Sequence, residues 1–343
     1  MSTINPAFED AIRVTPQGPG KYNAHLRPEW CIGTVPHGGY TTAVFYRLAL
    51  THFAHAHPTH YNSPATPISL QLSFLRRTAA GPATLEVEDA KLGARTSTIH
   101  VKLLQTSEKK PSELEVKVTG YITVSPASAE VGISAPTGWR PQPAVPRGSL
   151  ADGGVDLAAL ARTGHDGAWT KRDPPYPEFR RAATQLELYG LGKGPVQQQQ
   201  KKQQSRTMAV DQWARFRPGG DASGRWTDAA VVYLLDMFPM ALDGLDTMSA
   251  TAEARDRGTS VSDHKAKFWY PTVTLNVDLK KRLPAAGVEW LYSRVVTKAV
   301  RDGRTDLDVT VLDEKGEIVA LSTQVGLVVS ASRNLGSRKM QKL

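Results

Sequence analysis

Apolar and polar residues alternate along two long stretches of this chain, and both stretches follow one plan. In the first, Leu70, Leu72 and Phe74 alternate with Ser69, Gln71 and Ser73, the period-two pattern of a strand with one covered face. Four strands are predicted there, at roughly 67–76, 82–91, 96–105 and 113–125, with Ala80-Gly81-Pro82 and Gly93-Ala94-Arg95 as turns. Turns this short make neighbouring strands antiparallel. In the second stretch, Thr272-Val273-Thr274-Leu275-Asn276-Val277 matches Ser69-Leu70-Gln71-Leu72-Ser73-Phe74, polar on polar and apolar on apolar. Its strands are predicted at roughly 271–281, 287–300, 304–313 and 317–330, turning at Arg301-Asp302-Gly303 and Asp313-Glu314-Lys315-Gly316. Both leading strands end in basic residues, Arg76-Arg77 and Lys280-Lys281-Arg282.

A helical pattern precedes each stretch. From Gly39 to about His55, Tyr40, Val44, Leu48 and Thr51 share one face, Phe45 and His52 lie beside it, and Pro58 is the stop. The second helix is predicted from Asp228 to about Leu242. Further upstream the pattern predicts a short helix at Phe8–Val14 and strands at Lys21–Leu26, Thr184–Tyr189 and Arg206–Phe216. Residues 127–180, rich in Pro, Ser and Gly towards their start, read as a linker containing a short helix at Asp156–Arg162. The glutamine tract 196–205 reads as a polar hairpin loop. The expected organisation is an N-terminal unit at 1–126, the linker, a C-terminal unit at 181–330 and a basic tail at 331–343. The layout this element order permits is α+β: in each half, one helix wrapped by a strongly bent antiparallel sheet. Packing the halves edge to edge would give one continuous sheet and hide two strand edges.

Composition adds limits. The chain has 343 residues, enough for two cores, and the apolar fraction of an ordinary globular protein. No apolar run is long enough to span a membrane, and the N-terminus lacks a secretory pattern. A single cysteine, Cys31, excludes an internal disulfide and favours a reducing, cytoplasmic setting. The formal charge is +9, but the basic residues are scattered without interleaved aromatics. That pattern argues against nucleic acid and fits attraction of an anionic small molecule. The terminal Gln341-Lys342-Leu343 partly matches a peroxisomal address.

Several residues are candidates for chemistry. Asp236 interrupts the apolar run Val232-Tyr233-Leu234-Leu235-Asp236-Met237-Phe238, so it is either a hydrogen-bonded functional base or a helix-end carboxylate exposed at the turn before Pro239. Thr272 shares its face with Thr274 and Asn276, and points away from the helix unless the strand start is twisted or bulged. His37, beside Gly38-Gly39 at the first helix start, either structures the loop or acts as acid or base. His52, His55, His57 and His60 span a helix end with no regular ligand geometry and no acidic neighbour in sequence, so no metal is expected. Gly38-Gly39 lacks the preceding strand and the glycine spacing of a dinucleotide site.

The segment Trp30…Gly33-Thr34-Val35-Pro36-His37-Gly38-Gly39-Tyr40, followed by a helix and Leu-Gln-Leu-Ser-Phe-Leu-Arg-Arg, resembles the thioesterase-like superfamily of double-hotdog proteins, whose best-known members are acyl-CoA thioesterases of the thioesterase II type. The resemblance implies a double hotdog and hydrolysis of acyl thioesters carried by coenzyme A or a carrier protein, in lipid or secondary metabolism, without cofactor. It implies that Asp236, Thr272 and Gln324 position the attacking water, and that backbone N–H groups at a central-helix start polarise the thioester carbonyl. Gly38, Gly39, Tyr233, Met237 and Phe238, with Met240, are then expected around the acyl group; the basic strand ends are either solvated or attract coenzyme A phosphates. Association into homo-oligomers is a further implication. Two alternatives remain open: a same-fold biosynthetic enzyme (dehydratase, cyclase or polyketide-product release) and a non-catalytic acyl-binding protein.

Overall fold

A computed structural model describes residues 4–146, 154–192, 209–238, 242 and 266–335. The N-terminal half runs α1 (Pro6–Ala11), β1 (Val14–Gly18), β2 (Lys21–Leu26), α2 (Gly38–Ala56), β3 (Ala65–Phe74), β4 (Gly81–Lys91), β5 (Ser97–Thr106) and β6 (Leu114–Pro126). After α3 (Leu157–Thr163), the C-terminal half runs β7 (Trp169–Arg172), β8 (Leu186–Leu191), β9 (Ala209–Phe216), α4 (Asp228–Leu234), β10 (Thr272–Leu279), β11 (Trp290–Val296), β12 (Arg304–Leu312) and β13 (Ile318–Leu327), and ends in α5 (Ser332–Leu335).

All of these strands join one 15-stranded antiparallel sheet in the order β1-β2-β4-β5-β6-β3-β10-β13-β12-β11-β9-β8-β7, with two short strands at its margins. The order reads the same outward from its centre: β3 and β10 pair with each other, and each is flanked by the last, third and second strands of its own repeat. At the seam the register is Leu72↔Leu275, Leu70↔Val277 and Gln71↔Asn276. Leu72 and Leu275 hold equivalent places in the two sequence repeats, so a local twofold axis passes through this pair. The edge-to-edge joining expected from the repeat is therefore present, and the repeated strands themselves make the seam. Leu70, Leu72, Leu275 and Val277 point inward and are buried, while Gln71 and Asn276 face out.

The two central helices pack on each other, and α2 also packs against β1, β2 and β3. Helix α2 carries buried residues on nearly every face, including Tyr40, Val44, Phe45, Leu48 and Phe53, because the sheet covers one side and α4 the other. One hydrophobic core runs through both halves, from Phe8, Trp30 and Tyr40 to Phe216, Trp226 and Tyr233. A smaller aromatic cluster of Trp169, Tyr189, Trp213, Trp290 and Tyr292 closes the far side of the C-terminal half.

Three expectations need correction. The linker reading of 127–180 is too long: α3 and β7 lie inside it, and Trp169–Arg172 pairs with Leu191–Leu188 as part of the C-terminal sheet. The strand expected from Thr184 begins at Leu186, after a 3-10 turn over Arg181–Gln185. The second central helix ends at Leu234, with Asp236 and Met237 closing a tight last turn through N–H bonds to Tyr233 O (3.4 Å) and Leu234 O (2.9 Å). The glutamine tract, Met240 and Gln341-Lys342-Leu343 fall outside the described residues. Among the described residues no helix is long and apolar enough to cross a membrane.

Candidate active site

The start of α2 and the end of α4 meet head to tail, and this contact places chemistry from both halves at one point. Gly38 and Gly39 make the approach close enough. A Cβ on Gly39 would lie 2.6 Å from the Tyr233 carbonyl oxygen, and one on Gly38 would lie 2.6 Å from Asp236 Oδ2. Asp236 is 1% exposed. Its Oδ2 accepts the Gly39 backbone N–H at 2.7 Å, and its Oδ1 accepts the Thr272 hydroxyl at 3.0 Å. The first of these bonds comes from a helix N-terminus, where partial positive charge favours an anion.

Thr272 reaches Asp236 because its strand is irregular at the start. The pairing of β10 with β13 runs Thr272↔Gly326 and then Thr274↔Val325, so Val273 is an inserted residue and the alternation slips there. Strict alternation would turn Thr272 away, and the bulge is the condition under which the sequence allows it to face the helix.

Gln324 is buried on the inward face of β13. Its Nε2 donates to the Leu235 carbonyl at 2.7 Å, the peptide immediately before Asp236. Its Oε1 is buried without a hydrogen-bond partner among the described residues. Asp236 and Thr272 thus touch directly, whereas Gln324 is tied to the turn that carries the carboxylate.

His37 completes the arrangement from the N-terminal half. Its Nε2 lies 3.1 Å from the Asp236 backbone oxygen and 3.5 Å from Oδ2, its Nδ1 has no partner among the described residues, and its ring packs edge-on against Tyr233. The sequence supplies no cue for this pairing, since the two residues are far apart in the chain. Burial pushes the Asp236 carboxyl above the usual carboxylate range, opposed by His37, the Thr272 hydroxyl and the Gly39 N–H. Burial likewise pushes the His37 imidazole below its ordinary value, with Asp236 opposing. The pair is therefore a strengthened base beside an imidazole that stays neutral near pH 7.

Asp236, Thr272, His37 and Gly38 line a cavity of about 250 Å³. Its walls are largely aromatic and apolar: Phe74, Phe179, Phe238, Phe268, Trp269 and Tyr270, with Arg76, Arg77 and Arg180 also lining it. Of the residues expected around an acyl group, Gly38 and Phe238 lie on this cavity. Tyr233 does not. It is fully buried between Trp30, Phe8 and Phe216, and its hydroxyl donates to the Ala182 carbonyl. Met237 faces a separate small crevice beside Pro174 and Arg180. Gly39 contributes close packing and a hydrogen bond to Asp236, so its N–H is committed to the carboxylate. The Lys280-Lys281-Arg282 cluster is away from the cavity and spent on Asp278, Asp313, Glu317 and Glu130. The run Phe268-Trp269-Tyr270 just before Thr272 was the available cue to the cavity wall. Phe179 and Arg180 were hidden in the stretch read as linker.

The C-terminal segment packs beside this cavity. Asn334 accepts the Thr34 N–H (2.9 Å) and donates to the Ile32 carbonyl (2.8 Å), while Arg77 donates to the Arg333 carbonyl (2.7 Å).

Known proteins share this architecture. Residues 26–125 match the family model of the acyl-CoA thioesterase N-terminal domain, and residues 157–328 match that of the acyl-CoA thioesterase C-terminal domain. The thioesterase-like protein TwmA of Talaromyces wortmannii is 31% identical across 96% of this chain and 94% of its own. Among solved structures, a Thermobifida fusca protein assigned as a thioesterase II superposes with a TM-score of 0.64 at 20% identity, over 94% of this chain and 98% of that one. A hot dog fold protein of Alicyclobacillus acidocaldarius superposes with a TM-score of 0.61 at 18% identity, over the same 94% and 98%. Matched in order over both halves, with the two-helix, one-sheet architecture in place, the chain belongs to the acyl-CoA thioesterase family and is a double-hotdog, thioesterase-like hydrolase.

Proposed function

We propose that the protein hydrolyses acyl thioesters, releasing a free acid and a thiol, with Asp236 as the base. The observation that carries this reading is the Asp236 carboxylate itself. It is buried, held by Thr272 and the start of α2, and set on the wall of an apolar cavity. In this mechanism Asp236 takes a proton from water as the water oxygen bonds to the thioester carbonyl carbon. The tetrahedral species then breaks its C–S bond, and the departing sulfur recovers the proton. Thr272 fixes the carboxylate rotamer, and Gln324 holds the turn that carries Asp236 through its bond to the Leu235 carbonyl. General-base help of this kind contributes ~10²–10⁴ in rate. Arg76 and Arg77 line the cavity and suit the phosphates of coenzyme A. A panel of acyl-CoA thioesters of varied chain length, followed by thiol release, tests the reading. Turnover is expected for those whose acyl group fits the cavity, and tight binding without turnover would point to an acyl-binding protein.

Thr272→Val separates positioning from shape, since it keeps the branched side chain and removes the hydroxyl. The hydroxyl lowers the Asp236 pKa against burial, so its loss raises that pKa further. The ascending limb of the pH–rate profile is expected to move to higher pH. Below that limb the rate is expected to fall by ~10–100-fold, the worth of a hydrogen bond to a charged group. An unmoved limb would show that Thr272 does not act through Asp236.

One observation favours a second reading. His37 and Asp236 approach within 3.5 Å from opposite halves, so an imidazole and a carboxyl face the same cavity. Such a pair could remove the α-proton and protonate the leaving hydroxyl of a 3-hydroxyacyl thioester. Appearance of enoyl absorbance from a 3-hydroxyacyl thioester, with no thiol released, would select this reaction.

A further inference from the structure

The other end of α2 carries a second cluster of donor atoms, a helix length away from the cavity. His52 and His57 each turn Nε2 towards Asp89 of β4, one to each carboxylate oxygen, at 2.9 Å in both cases. The three donor atoms lie within 4.8 Å of one another. Residues five apart on a continuous helix point in different directions. His57 escapes this because it is the C-cap, with φ −130 and ψ 50, and its ring swings back to stand 5.2 Å from that of His52. The acidic partner that the sequence did not reveal comes from a strand.

We propose that His52, His57 and Asp89 form a binding site for a divalent transition metal, zinc by donor type, with water completing its shell. Two imidazole nitrogens and a carboxylate oxygen are borderline donors, which suit zinc and its neighbours over calcium or magnesium. With metal–ligand bonds of about 2.0–2.1 Å, tetrahedral ligands stand ~3.3 Å apart. The two histidine–carboxylate spacings of 2.9 Å would open by ~0.4 Å on binding, and all three donor atoms already lie within 4.8 Å of one another. The His52 side chain is 4% exposed, that of His57 19% and that of Asp89 33%, so one wall is dry and the other is open to water.

The support behind His52 fits the same purpose. Its Nδ1 lies 2.8 Å from the hydroxyl of Tyr22, which is fully buried. With Nε2–H bonded to Asp89, Nδ1 accepts from Tyr22. With Nε2 bonded to a metal, Nδ1–H donates to the same hydroxyl. A hydroxyl serves both tautomers, and a partner on the far nitrogen is the usual support of a metal-binding histidine. The end of a helix also favours a cation. A metal held here would clip α2 to β4 without touching the cavity.

The test uses the full-length, tag-free protein, stripped with a chelator and titrated with Co²⁺ and Zn²⁺ by calorimetry and visible absorption. One equivalent of Co²⁺ with intense low-symmetry bands is expected, displaced by Zn²⁺, together with a higher unfolding midpoint when Zn²⁺ is bound. His57→Ala and Asp89→Asn are each expected to weaken that equivalent by about 100-fold or more, and Tyr22→Phe by ~10–100-fold. Thioester turnover should be unchanged in the His57 and Asp89 variants. Equal metal binding by wild type and His57→Ala, or none by the wild type at micromolar metal, would overturn the site. Neither result bears on the hydrolytic reading, which has its own residues and readout.

Discussion

Asp236→Asn is expected to lower acyl-thioester turnover by ~10²–10⁴ while leaving the protein folded. The amide is close to the carboxylate in size and can still accept the Gly39 N–H with its oxygen, while its nitrogen donates to the Thr272 hydroxyl. What disappears is the ability to take a proton from water. Stability should move the other way. Burial raises the Asp236 pKa in the folded state, so the folded protein holds that proton more tightly than the unfolded chain does. Stability therefore falls as pH climbs from the ordinary carboxylate range through the raised value, and stays lowered above it. The Asn variant lacks this slope, so at pH 8 its unfolding midpoint should be at least that of the wild type. Turnover of the wild type should rise across the pH range where this term of its stability is lost, because both follow one ionisation. Undiminished thiol release by a folded Asp236→Asn protein would remove the assignment.

Gly39→Ala should cost both stability and activity. In an ordinary helix, alanine is favoured over glycine by ~1 kcal/mol. Here the added methyl would sit 2.6 Å from the Tyr233 carbonyl oxygen and 3.0 Å from Asp236 Cβ. Those atoms belong to the end of α4 and the turn that follows it and cannot rotate aside, so the two elements must separate. Overpacking of this kind costs ~1–3 kcal/mol, which outweighs the gain in propensity. The same separation lengthens the Gly39 N–H bond to Asp236 and displaces the base, so turnover should fall by ~10-fold or more. Gly18→Ala is the matched control, since a Cβ there meets nothing within 4 Å. Thermal unfolding and thiol release on the three proteins decide the matter. A Gly39→Ala protein as stable and active as Gly18→Ala would show that the close approach is not required.

Period-two alternation made the strands legible, and the repeat made their joining legible, because the segments that match in sequence also meet at the seam. Helix ends were less visible. Leu235-Asp236-Met237-Phe238 contains no glycine or proline to mark a helix end, yet α4 stops at Leu234 and the chain turns. Tyr233 and Met237, expected around the acyl group from the family resemblance, point instead into the core and into another crevice. Asp236 was conspicuous as a charge in an apolar run, and Thr272 needed a bulge that alternation alone could only pose as a condition. The partnerships of His37 with Asp236 and of His52 and His57 with Asp89 join residues distant in sequence, and only tertiary packing creates them.

The seam at Leu72 and Leu275 implies something about each half taken alone. Freed of its partner, either half would bare a long, unsatisfied edge along β3 or β10, and the dyad geometry would let two identical copies close on each other. Under the proposed mechanism neither such homodimer would turn over a thioester. Two N-terminal halves would offer two glycine pairs and no acid, and two C-terminal halves two acids with no helix start to receive them. The acid and the helix start that binds it come from different halves, so mixing the separated halves is where their complementarity would become visible.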